Sequence, residues 1–327
     1  MRQLSIGKYR GLQRATTPDG HFVIVALDHH DAMRRALNAT APETVTDDEM
    51  TAFKTQVARA FAPEVSALLL DPIYSAGQAV ASGILDRAGL LVEMEKAGYA
   101  MQPLPLICQI LPEWTVAKIK RMGSDGVKLF FYYNTADEAR VREQERLLTK
   151  LAGECAAYDL PFYAEPLLYP VGEPDEVYAA HYTRRVIAAA QRMEALGADV
   201  LKMEFPLHPS RWNDAAAGSE ACAALTNATT VPWVLLSAGV DFETFCGQIE
   251  IACAAGASGV IVGRALWGEA AQIADADARE AWLQTTGRDR LRQLASLTRA
   301  GKPWTERLTP VPVSTEWHQR YEGMPNL

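Results

Sequence analysis

The sequence predicts an α/β protein, a (β/α)8 TIM barrel of parallel strands ringed by helices. Three observations lead there. Short apolar runs rich in Val, Ile and Leu alternate with amphipathic stretches of helical period, the pattern of a parallel sheet covered on its faces. Eight such runs can be read, the number that closes a barrel. Three of the junctions that lead into a strand share one glycine-containing frame.

In chain order the runs are Phe22–Leu27, Ala67–Asp71, Leu90–Glu93, Gly126–Phe131, Pro161–Glu165, Val200–Glu204, Trp233–Ser237 and Gly259–Gly263. The third competes with Leu106–Leu111, because periodicity is mixed from Ala76 to Pro105. Thr46 followed by Glu49, and Thr135 followed by Glu138, have capping-box spacing ahead of apolar stripes. Asp241 is placed to cap the helix that carries Phe242, Phe245, Ile249 and Cys253. A barrel of this kind uses about 250 residues. The 327 residues are therefore read as one catalytic domain, 1–327, with the barrel over about 21–300 and a C-terminal extension over 301–327. The extension carries Trp304, Trp317 and Tyr321, which suggests docking onto the barrel or onto a neighbouring copy, so a homo-oligomer is possible.

The shared frame reads Gly123-Ser-Asp-Gly-Val-Lys128, Gly197-Ala-Asp-Val-Leu-Lys202 and Gly256-Ala-Ser-Gly-Val-Ile261. A helix ending at Gly and a short polar turn into a strand is the expected αβ loop. Lys128 and Lys202 occupy the same place in this frame, on alternate strands, and alternate strands fill one interior layer of a barrel. The two amines are therefore expected to face each other inside it. A lysine within an apolar strand is costly unless it is paired or functional. Desolvation or a second cation disfavours the ammonium, and a neutral amine is the nucleophile that attacks a ketone. The bland alternative is an internal ion pair.

Carboxylates gather where the strands end. Asp28 follows the first run, and Pro166 is expected to stop pairing just after Glu165, placing that carboxyl at the end where barrels carry catalysis. Glu204 lies two residues after Lys202 and should share its face. After the last two runs come Ser237-Ala-Gly239 and Gly263-Arg264, a hydroxyl, two glycines and a guanidinium. These loops in a barrel often bind phosphate.

Other function classes find little support. Lys+Arg number 32 against 40 Asp+Glu, a net charge of −8 with no basic run, so no nucleic-acid partner is expected. No apolar run approaches the roughly 20 residues of a membrane helix, and MRQLSIGKYRGLQR lacks the apolar core of a signal peptide. Five cysteines without C-x-x-C spacing read as buried thiols in a reducing cytoplasm. None of the six histidines has H-x-x-x-H or H-E-x-x-H spacing, and no dinucleotide fingerprint or P-loop is present, so no cofactor and no metal are expected. Histidines brought together from different strands are the remaining route to a metal.

These residues resemble the class I tagatose-1,6-bisphosphate aldolase family, which includes aldolases for sulfonated sugar phosphates. The resemblance runs from about Val25 to Trp267. Its carriers are Ala26-Leu-Asp28, Leu70-Asp-Pro72, Glu95-Lys-Ala-Gly-Tyr99, Glu113-Trp114, Val127-Lys128 through Tyr133, Glu165, Leu201-Lys-Met-Glu204, Leu236-Ser-Ala-Gly-Val240 and Gly263-Arg-Ala265. It implies metal-independent cleavage of a ketose phosphate to dihydroxyacetone phosphate and an aldehyde. By the same resemblance Lys202 is the Schiff-base lysine and Glu165 the general acid/base. Lys128 and Asp28 are partners of the imine and the substrate hydroxyls, and Ser237, Gly239, Gly263 and Arg264 cradle the C1 phosphate. One departure stands out. The family reads Asp-Gln-Arg where this chain reads Asp28-His29-His30. A neutral imidazole does not replace a guanidinium for phosphate, so the departure counts against a second phosphate at C6, and an uncharged or sulfonated far end stands as the alternative to the 1,6-bisphosphate. His29 and His30 either assist proton transfer or pack at a loop. A sugar-phosphate sensor with little catalysis is the alternative from another class.

Overall fold

The computed structural model describes residues 1–96 and 107–321. Its centre is a closed parallel barrel of eight strands: β2 (Phe22–Ala26), β3 (Ala67–Leu70), β4 (Gly89–Glu93), β5 (Gly126–Tyr132), β6 (Phe162–Leu167), β7 (Val200–Met203), β8 (Trp233–Leu236) and β9 (Gly259–Val262). Each pairs with the next, and Phe22 to Val25 pair with Gly259 to Val262 to close the ring. All eight expected runs are strands. The third strand is Gly89–Glu93, while Ile110 only bridges to Glu95 and Leu106 lies outside the described residues.

Helices alternate with the strands, and the expected caps can be checked one by one. Thr46 and Glu49 form both bonds of a capping box at Asp47–Phe61, and Asp241 accepts from Thr244 N at Phe242–Ala254. The box expected at Thr135 and Glu138 does not form. The helix Glu138–Ala157 is capped by Asp137, whose side chain accepts the backbone N–H of Arg140. Asp137 has the shorter reach and a full charge for the orphan N–H groups of the first turn. Gly123, Gly197 and Gly256 have φ of 90°, 103° and 103°, the left-handed conformation that ends a helix and sends the chain back into the sheet.

The C-terminal extension docks on its own chain. Its strand β10 (Leu308–Pro310) pairs in parallel with β1 (Arg2–Leu4). Trp304 is buried and donates through Nε1 to Thr16, and Tyr321 hydrogen-bonds Asp159. All five cysteines are buried thiols. Among the described residues no helix is long and apolar enough to cross a membrane.

Candidate active site

A cavity of about 320 Å³ opens at the carboxyl ends of the strands. Side chains alternate across a strand, so β5 sends Lys128, Phe130 and Tyr132 into it, β6 sends Glu165 and Leu167, and β7 sends Lys202. Lys128 and Lys202 do meet there, through a shared partner. Lys202 Nζ lies 2.8 Å from Glu165 Oε1, and Lys128 Nζ lies 2.9 Å from Glu165 Oε2. Lys128 also binds Asp28 Oδ2 at 2.7 Å and Glu95. For Lys128 the ion-pair alternative holds. Burial alone would lower its ammonium, but Asp28, Glu165 and Glu95 outweigh that and hold it well above the usual lysine range. Burial would raise Asp28, yet Lys128 and Lys202 keep it well below the usual carboxylate range.

Glu165 reaches this position although Pro166 does not end its strand. Pairing with β5 continues to Tyr132 opposite Leu167, whereas pairing with β7 stops at Ala164 opposite Leu201. Phe162 O accepts from Asp199 N, so Phe162, Ala164 and Pro166 turn their backbone groups toward β7. The N–H that Pro166 lacks faces a side where the ladder has already ended, and the proline costs nothing there.

The loops after β8 and β9 form the opposite wall. Ser237, Gly239, Gly263 and Arg264 all line the cavity. Ala238 and Gly239 turn through φ of 48° and 78°. A Cβ on Gly239 would lie 2.6 Å from Arg264 Nη2, so the glycine is what lets the guanidinium lie over this turn. Ser237 Oγ faces the N–H of Gly263 at 3.4 Å, and Arg264 opens the helix Arg264–Ala271. Burial, then Arg35, lowers the Arg264 pKa; Arg35 lines the same cavity. Two guanidiniums and a helix start suit a phosphate dianion.

The two histidines separate. His29 belongs to this wall: its Cε1 lies 2.6 Å from where a Gly263 Cβ would stand, and its ring meets Trp267 edge to face at 5.2 Å. Burial brings its imidazole down to about 3. His30 turns the other way, with Nε2 2.6 Å from Glu93 Oε1, and burial lowers it to about 4. Burial, then Glu95 and Asp28, pushes Glu93 well above its usual range.

Glu204 is not among the residues that line the cavity. It lies one residue past the end of β7, where alternation no longer holds, and its Oε2 accepts the N–H of Leu168 at 3.0 Å. That N–H faces β7 beyond the end of the ladder, and the carboxylate supplies the missing acceptor. Burial brings Glu204 up to about 7. Glu93, Glu95 and Arg35 line the cavity without having been singled out as site residues. Two acidic groups, His30/Asp71/Glu93 and Asp28/Glu93/Glu95, have donor atoms within 4.8 Å of one another. The Lys54 ammonium lies on Asp71 at 2.5 Å and Lys128 on Asp28 and Glu95, so lysines already fill the cation positions.

The family model for DeoC/LacD aldolases matches residues 22–269, all eight barrel strands with their loops. The chain belongs to the DeoC/LacD aldolase family. It is a class I, Schiff-base-forming aldolase, a lyase. The aldolase is 30% identical to tagatose 1,6-diphosphate aldolase 1 of Enterococcus faecalis, over 91% of this chain and 97% of that one. It is 31% identical to the tagatose 1,6-diphosphate aldolase of Streptococcus agalactiae, over 92% and 98%. Among solved structures, the aldolase superposes on the fructose-bisphosphate aldolase of Plasmodium falciparum with a TM-score of 0.67 at 14% identity, covering 92% of this chain and 97% of that one. A Schiff-base-forming fructose-1,6-bisphosphate aldolase gives 0.61 at 18%, covering 89% and 99%. At those identities the superpositions speak for the fold alone.

Proposed function

We propose that the enzyme cleaves a ketose 1-phosphate to dihydroxyacetone phosphate and an aldehyde through a Schiff base on Lys202. The observation that carries this reading is the placement of the Lys202–Glu165 pair and the Arg264–Gly239 wall in one cavity. Arg264, Ser237 and the loop N–H groups hold the C1 phosphate, which sets the C2 ketone against Lys202. The unprotonated amine, which alone has a lone pair to give, adds to C2. Glu165, 2.8 Å from Nζ, then delivers the proton that lets the carbinolamine hydroxyl leave as water. The protonated imine is the electron sink into which the C3–C4 bond breaks. Lys128 pins Glu165 and Asp28 in place, and Asp28, ionised, accepts from a substrate hydroxyl.

At the far end of the substrate, tagatose 1,6-bisphosphate is one candidate, as in the relatives' names. A second reading, a C6 group without the double charge of a phosphate, either uncharged or sulfonated, is favoured by His30, which is bound to a carboxyl and offers no cation at neutral pH. Borohydride reduction with dihydroxyacetone phosphate should fix a covalent adduct on Lys202, and K202A should abolish both the adduct and cleavage. Turnover of ketose 1-phosphates that differ only at C6 separates the two readings. Cleavage that survives in K202A would sink the mechanism, and binding without any adduct would favour a sensor.

A further inference from the structure

The cavity has two ends of opposite character. The loops after β8 and β9 carry Arg264, and Arg35 lies near it; burial, then Arg35, lowers the Arg264 pKa. In the closed order of the strands, β4 lies half-way round the ring from β8. That side is acidic. Alternation along β4 and just past it turns Glu93 and Glu95 inward, and Asp31 joins them from the helix Asp31–Leu37. Oxygens of Glu93, Glu95 and Asp28 lie within 4.8 Å of one another.

This patch offers acceptors. Glu95 Oε1 is held by Lys128, but its Oε2 has no hydrogen-bond partner among the described residues, although the residue is only 6% exposed. Glu93 Oε1 meets His30 Nε2 at 2.6 Å, and the imidazole, brought down to about 4 by burial, adds no cation. Trp114 Nε1 donates to the backbone oxygen of Glu93 at 3.0 Å, and the His30 ring lies against Tyr74 at 5.5 Å, so the pair is held from behind. Lys96 also lines the cavity, but it is exposed to water, which screens its charge. An ionised carboxylate only accepts hydrogen bonds, and a carboxyl that gives its one proton to His30 has only acceptors left. A phosphate or sulfonate is an acceptor too, and an anion, so it would meet this patch with repulsion and no bond. An alcohol O–H is the donor that Glu95 Oε2 lacks.

We propose that Glu93 and Glu95 are specificity-determining residues that read the far end of the substrate as an uncharged, hydroxyl-bearing carbon and exclude a second phosphate or a sulfonate there. The inference rests on the C1 phosphate at the Arg264 wall and the imine at Lys202, which leave the β4 side for the far end. It narrows the readings of C6 to one. The substrate is a ketose 1-phosphate with a free C6 hydroxyl, and the aldehyde released is an uncharged hydroxyaldehyde. His30 acts through Glu93, as a positioning residue.

The test is condensation of dihydroxyacetone phosphate with D-glyceraldehyde or with D-glyceraldehyde 3-phosphate, aldehydes that differ only at the end in question. In the unmodified enzyme kcat/KM should favour the uncharged aldehyde by roughly 10²-fold, because like charges brought together in a binding site are strongly disfavoured. E93Q replaces an acceptor by an amide with N–H donors, and its kcat/KM for the phosphorylated aldehyde should rise by about tenfold. The double variant H30R/E93A, with a guanidinium and no carboxylate to hold it, should prefer the phosphorylated aldehyde, and H30R alone should gain less because Glu93 pairs with the new cation. Borohydride trapping with dihydroxyacetone phosphate does not involve the far end and should stay within about twofold in each variant. An unmodified enzyme that uses the phosphorylated aldehyde as well as the uncharged one, or better, would overturn the proposal. So would variants in which both aldehydes fall in step, which would make the acids a support for the pocket. Absence of trapping in the unmodified enzyme would sink the imine at Lys202 instead, since the aldehyde preference is read from condensation alone.

Discussion

Lys202 and Glu165 stand 2.8 Å apart, Nζ to Oε1, on adjacent strands of one barrel wall. The same carboxylate faces Lys128 with its other oxygen. A single residue therefore touches the lysine proposed as nucleophile and is anchored by a cation that three carboxylates keep charged. In the proposed mechanism Glu165 serves the dehydration step. In E165Q the amide retains the shape and cannot carry the proton. Borohydride trapping and cleavage should fall together, by roughly 10²- to 10⁴-fold, the range for loss of a general acid/base. Cleavage that drops while trapping stays fast would assign Glu165 to a later step.

The wall proposed to hold the phosphate makes a prediction about a residue with no side chain. Gly239 has φ of 78°, and a Cβ there would press on Arg264 Nη2 at 2.6 Å. G239A should displace the guanidinium and strain the turn. Losing one charge-assisted contact of about 1.5–3 kcal/mol lowers kcat/KM by about 10- to 100-fold. The loss should appear with a ketose 1-phosphate and be much smaller with its unphosphorylated ketose. Equal losses on both would place the phosphate elsewhere.

How far the sequence revealed this site depends on the range of the interaction that sets each part. Strands and αβ loops follow local patterns, and the Gly frame correctly brought Lys128 and Lys202 into one cavity. Glu93 obeys the rule that selected Asp28 and Glu165, an acid at a strand's carboxyl end, and was legible on that ground. Arg35 was not. Its neighbour Arg34 turns away to Asp47 and Tyr74, and which of the two faces the cavity depends on how the short helix Asp31–Leu37 packs through Met33. Glu204 shows the limit of alternation, which ends with the strand. Pro166 shows that a lost donor matters only where a partner is waiting, and that depends on the neighbouring strand.

Lys128 supports a stability prediction. In K128M, Asp28, Glu95 and Glu165 would share the cavity without their common cation. Breaking buried pairs from one side costs about 3–5 kcal/mol, and chemical denaturation at pH 7 should show a loss of that order. Asp28 is depressed in the native state, so its stabilising contribution is present above its ordinary pKa and fades as pH falls through the native one. Without Lys128 this carboxyl titrates higher and protonation relieves the repulsion. The gap between variant and parent should therefore narrow as pH is lowered from 7 toward 4.5. A gap that is constant or widens in acid would mean that Lys128 contributes by packing.

Glu204 gives the opposite sign. Burial raises its pKa to about 7, while Leu168 N–H, as a donor to the carboxylate, pulls the other way. A carboxyl that binds its proton more tightly when folded is neutral for stability below its unfolded pKa and increasingly costly as pH rises through the interval up to the native value. A rise from 4.5 to about 7 corresponds to about 3 kcal/mol at pH 8. E204Q keeps an acceptor for the Leu168 N–H and carries no charge. It should match the parent near pH 4 and exceed it by up to about 3 kcal/mol at pH 8, measured by urea denaturation across that range. Since Glu204 does not line the cavity, kcat/KM for the ketose phosphate should stay within about threefold. Loss of activity with unchanged stability would return Glu204 to the substrate.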